Sequence, residues 1–105
     1  MTHEELVQKG ARWLNKEASN IRWRSTYVLV EFNSQGTREI PDIFGLRPAG
    51  HVMIEVKVSR SDFKADALKE ARDPDKLQIG NFRFYLTPQG LISEEEIPSA
   101  WGLLE

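Results

Sequence analysis

Hydrophobic and polar positions along the chain fall into helical and alternating runs separated by turn residues. Leu6, Val7, Gly10, Ala11 and Leu14 recur at helical spacing, which predicts an amphipathic helix over residues 3–17. Thr2 and Glu5 stand at the spacing of a capping box at its start. Trp13 borders the apolar stripe, and Lys9, Arg12 and Lys16 fall towards the outer side. Residues 26–33 are β-branched and aromatic and stop at Ser34-Gln35-Gly36, which predicts a first strand. A second strand is expected over 38–46, with Pro41 placed where no ladder hydrogen bond is needed. The third and most central strand spans 51–58. There Val52, Ile54, Val56 and Val58 share one face, and His51, Met53, Glu55 and Lys57 share the other.

Ser59 or Ser61 can cap a second helix running to about residue 70 or 71, with Phe63, Ala67 and Leu68 at its apolar positions. Asp73-Pro74-Asp75 ends it, and residues 76–80 fit a short helical turn. Residues 81–87 alternate as a fourth strand, closed by Pro88-Gln89-Gly90. Leu91 and Ile92 look like a brief extended piece, and Ser93 with Glu96 repeats the capping-box spacing before Pro98. Residues 101–104 read as a last short strand or apolar plug. The order α-β-β-β-α-β belongs to the α+β class and is shared by several folds.

At 105 residues without repeat or low-complexity linker, the chain is expected to form one domain, residues 1–105. No apolar run approaches the roughly 20 residues that span a bilayer, so no membrane partner is expected. The absence of cysteine excludes disulfides and thiolate zinc sites and fits a cytoplasmic location. The net charge is −2, but it is unevenly spread: residues 84–105 carry four acids and no base, leaving the first 83 residues at +2. A mildly basic body with an acidic tail is compatible with transient DNA contact.

The candidate chemistry lies in residues 40–58, reading I-P-D-I-F-G-L-R-P-A-G-H-V-M-I-E-V-K-V. Two steps along a strand separate Glu55 from Lys57 by roughly 7 Å, and a neighbouring strand through Asp42 would lie about 5 Å away. Two carboxylates and a lysine can thus meet at the sheet surface, an arrangement suited to a divalent metal and a water molecule. The bland alternative for Glu55 and Lys57 is an exposed ion pair of little energetic weight.

Pro41-Asp42, a spacer and Glu55-Val56-Lys57 resemble the active-site signature of the PD-(D/E)XK nuclease superfamily. The continuation Val58-Ser59-Arg60-Ser61-Asp62-Phe63 and the ending G-L-I-S-E-E-E-I-P-S-A-W-G-L-L are similar to its small bacterial and phage members, over about residues 3–104. The resemblance implies a restriction-endonuclease-like αβββαβ core, with a central mixed four-stranded sheet flanked by helices. It implies a Mg²⁺-dependent DNA endonuclease or repair-type nuclease, with Mn²⁺ able to substitute. Asp42, Glu55 and the Val56 carbonyl would be the metal ligands, and Lys57 would orient the water or stabilise developing charge. Many relatives carry a first-helix glutamate near the metal; His3 takes that position here, and Glu5 reads as a cap. DNA is the expected partner, with a specificity-giving protein partner and a homodimer as further options. The other reading is a catalytically silent member of the fold that binds nucleic acid or a protein partner.

Outside that stretch, Arg22-Trp23-Arg24 has the composition of a nucleic-acid grip, although such a triplet more often leads into an edge strand with its indole buried. Asp62 and Asp66 are candidates for supporting the site, but acids also gather at helix N-termini for electrostatic reasons alone.

Overall fold

The computed structural model describes residues 2–15, 22–30, 42–72, 82–98 and 101–105, with residues 67–72 described by backbone alone. Its first helix, α1 (His3–Leu14), starts as the sequence predicts. The Thr2 hydroxyl accepts the Glu5 N–H at 3.1 Å and the Glu5 carboxylate accepts the Thr2 N–H at 3.1 Å. The Thr2 N–H, with its hydroxyl as second cause, holds the Glu5 carboxyl below its ordinary pKa. Leu6, Val7, Gly10 and Leu14 form the buried stripe.

Among the described residues, five strands make one mixed sheet in the order β1 (Tyr27–Val30), β2 (Ile43–Leu46), β3 (Val52–Val56), β4 (Phe82–Leu86) and β5 (Trp101–Leu104). The first three are antiparallel, and β4 and β5 are each parallel to the strand before them. The second helix, α2 (Arg60–Arg72), provides the crossover from β3 to β4. Ser59 caps it, its hydroxyl accepting the Asp62 N–H at 3.3 Å. The architecture is α+β, and β3 is the central strand.

The sheet has one more strand than the four that the resemblance implies, because residues 101–104, read as a short strand or a plug, pair with β4 as a strand. Covering on both faces produces a second difference. Val52, Ile54 and Val56 pack with Ile43, Leu86 and the α1 stripe. The other face is also covered, by Phe63 of α2 with Tyr85, Ile92, Trp101 and Leu103. Met53, expected on a polar surface, is buried as well. Val58 is 36% exposed, because β3 ends at Val56 and the face pattern stops with it. Leu91 and Ile92 lie in a turn, where the Leu91 N–H reaches the Pro88 carbonyl at 3.1 Å, and are not extended.

Gly45 on β2 is a close-approach position. A Cβ there would overlap the Ser25 hydroxyl and stand 3.0 Å from Leu14 Cδ1, where the end of α1 meets the sheet. The first ends of the expected strand 38–46, the turn 34–36 and the helical turn 76–80 lie outside the described residues.

Candidate functional site

Ile43 pairs with Ile54, so Asp42, one residue before β2 begins, comes opposite Glu55. Its carboxylate takes over a ladder position. The Lys57 N–H donates to the Leu86 carbonyl on β4 at 3.0 Å, so the Val56 N–H points the other way, towards β2. Asp42 Oδ2 accepts that Val56 N–H at 2.8 Å. Asp42 Oδ1 lies 3.5 Å from His3 Nε2, at the start of α1, an ion pair whenever the imidazole is protonated. Asp42 is thus fixed from β3 and approached from α1.

Lys57 follows β3 directly, and its Nζ lies 3.8 Å from Asp66 Oδ1 on α2. The other oxygen of Asp66 accepts the Tyr85 hydroxyl at 2.6 Å. Tyr85 pairs with Glu55 across the β3–β4 register and is fully buried, so its hydroxyl is a rigid anchor for Asp66. Phe63 meets the Tyr85 ring edge-on at 5.0 Å, and Trp101 stacks on it at 4.3 Å.

These side chains surround a cleft of about 370 Å³ between the C-terminal end of β3, the start of α1 and the first half of α2. His3, Asp42, Glu55, Val56 and Lys57, the five candidate residues, all line it, with Asp62 and Asp66 on the α2 wall. Four carboxylates face one lysine and one histidine. His51 does not belong: it is at the other end of β3, where its Nδ1 accepts the Arg47 N–H at 3.3 Å. The element missed by sequence reasoning is Tyr85. Its signal was a tyrosine at an inward position of the fourth strand, where a buried hydroxyl needs an acceptor.

Trp23 packs half-buried against Trp13, Phe82 and Phe84, as the lead-in reading of Arg22-Trp23-Arg24 anticipates.

No protein-family model matches the chain, and none of the curated proteins does. Among solved structures it is similar to the SPO1766 protein of unknown function from Silicibacter pomeroyi, with a TM-score of 0.60 and 24% identity over 98% of this chain. The chain spans 63% of the length of that structure, and the likeness is one of fold alone.

Proposed function

We propose that the cleft is the site of a divalent-metal-dependent deoxyribonuclease with a restriction-endonuclease-like core. The observation that carries this reading is that Asp42, Glu55 and Lys57, from two strands and a strand end, line one cleft. The antiparallel β1-β2-β3 unit, the parallel β4 and a helix on each face support the αβββαβ assignment, with β5 as an extension.

The donor set suits a hard cation. Asp42, Glu55 and the Val56 carbonyl would hold Mg²⁺, which takes one or two carboxylates and keeps several waters. Among the described residues no three His, Asp or Glu side chains gather as a metal group, and a two-carboxylate site does not need one. The chemistry such a cation supplies is a water of lowered pKa and Lewis-acid polarisation of a phosphate oxygen. The chain's own part is positional and electrostatic. The Val56 N–H fixes the Asp42 carboxylate, and Asp66 holds the Lys57 ammonium, an electrostatic group for the attacking water or the phosphate oxygens. With four carboxylates on its walls, the cleft by itself repels a phosphodiester, which fits a requirement for added positive charge.

One observation favours the silent binding module instead: both Asp42 oxygens and the Lys57 ammonium already face protein groups. Cleavage assays separate the two. The protein is expected to cut DNA in Mg²⁺ or Mn²⁺ and not in EDTA. Lys57→Ala is expected to abolish cutting while metal affinity is kept, since an ammonium has no lone pair to give a metal. Asp42→Ala is expected to abolish both. Full activity of Lys57→Ala would refute the mechanism, and a wild-type protein inert on single-stranded, duplex and branched DNA despite bound metal would favour the silent module.

A further inference from the structure

At the end of the sheet away from the cleft, two guanidinium groups share one indole. The Arg22 guanidinium lies 4.8 Å from the Trp23 ring centroid, and that of Arg47 lies 5.2 Å from the same ring and 5.5 Å from Phe82. The Arg47 position is fixed, because its Nη1 donates to the Gly50 carbonyl at 2.9 Å. Trp23 is fixed as well, edge-on to Phe82 and Phe84 at 5.0 and 5.1 Å. Phe82 remains 36% exposed beside them. This end is defined by the start of β3 and β4, where Phe82 pairs with Val52 and donates its N–H to the His51 carbonyl. Lys57 is five residues further along, roughly 16 Å away at strand rise.

Among the described residues, the ion pairs of the protein involve neither Arg22 nor Arg47. Cation–π contact with the indole leaves the N–H donors at the edge of each guanidinium open to an anion. A strand passing over this end would meet two guanidinium forks, each with the geometry that suits a phosphate. The neighbouring exposed Phe82 ring adds a stacking surface, and only an unstacked base can use it.

We infer that Arg22, Arg47 and Phe82 form a binding surface for single-stranded nucleic acid, separate from the cleft. Phosphates of the strand sit against the two guanidinium groups, and one base stacks on Phe82. Shared phosphate and base chemistry leaves DNA and RNA strands equally suited. The surface does not depend on the cleft being catalytic.

The test is fluorescence anisotropy of labelled twelve-residue oligo-dT and oligo-rU strands with the full chain in EDTA, so that an inert or active cleft makes no difference. Phe82→Leu is expected to weaken binding about fivefold or more. The Arg22→Gln, Arg47→Gln double variant is expected to weaken it further, and to reduce the slope of log affinity against log salt by about 1.4. Arg22→Gln alone guards against misfolding, since Arg22 is exposed, and half of that slope change is expected from it. Lys9→Gln, an exposed charge elsewhere, is the control. Unchanged affinity and slope in the arginine variants, a loss in Lys9→Gln equal to that in Arg22→Gln, or blunt duplex bound as tightly as single strands would each overturn the inference. Competition by oligoglutamate with Phe82→Leu neutral also overturns it, in favour of an acidic protein segment.

Discussion

Tyr85 has no solvent exposure, and its hydroxyl ends on Asp66, a carboxylate that also faces Lys57. A hydrogen bond to a charged acceptor of this kind contributes about 1.5–3 kcal/mol. Tyr85→Phe is therefore expected to destabilise the protein by about 1–3 kcal/mol in denaturant titration, allowing for the partial exposure of Asp66. Asp66→Asn should lose less, since the amide oxygen still accepts the hydroxyl while the attraction to Lys57 is gone. Equal stability of Tyr85→Phe and wild type would show that the hydrogen bond adds no net stability. At this scale Asp42, Glu55 and Lys57 were legible because strand alternation and register suffice to place them. The Tyr85–Asp66 bond was not, since it joins α2 to β4 through the tertiary packing of a crossover. The Val56 N–H on Asp42 was equally hidden, because it depends on where β2 begins.

At the start of α2, Arg60 grips the short 3₁₀ turn at Glu94–Glu96. Its Nη2 and Nη1 reach the two Glu96 oxygens at 2.6 and 3.2 Å, and Nη1 also donates to the Leu91 carbonyl at 2.9 Å. The Arg60 fork, followed by the Ser93 N–H, pulls the Glu96 carboxyl down to about 2, and Glu96 in turn raises the Arg60 pKa. A carboxyl with a depressed folded pKa contributes stability that is complete above its unfolded value of 4.5 and is lost as pH falls towards 2. Glu96→Gln is expected to lower the melting temperature modestly at pH 7, with the gap to wild type closing between about pH 4.5 and 2. A gap that persists unchanged at pH 2 would mean that the contact is not ionic. Both capping-box spacings could be read from sequence because they are local: three residues fix them. Strand lengths were overestimated, as with β3, because the apolar alternation continues to Val58 after β4 has stopped offering partners.

For the whole molecule, the two-sided sheet is the main departure from the sequence pattern. An alternating strand reads as half-solvated, yet Met53 and Tyr85 are both buried, Tyr85 by elements far along the chain. The C-terminal strand belongs to this cover: Trp101 and Leu103 pack with Phe63 and Tyr85, and Leu104 packs against the α1-side core. Deleting residues 97–105 should therefore lower the melting temperature by upwards of about 10 °C. An unchanged melting temperature would identify this end as a strand meant for a partner. No helix among the described residues is long and apolar enough to cross a membrane.

The tryptophans divide between the two faces of the sheet. Trp13 and Trp23 pack on the α1 side, whereas Trp101 lies on the α2 side between Tyr85 and the Arg83 guanidinium. Tyr85 links Trp101 to Asp66 and so to the wall of the cleft. The protein therefore contains its own pair of optical probes. In a variant keeping Trp101 alone, emission is expected to follow changes at the acidic cleft through Tyr85 and Asp66, while one keeping Trp23 alone is expected to follow the arginine-lined end, so that each end is titrated without an added dye.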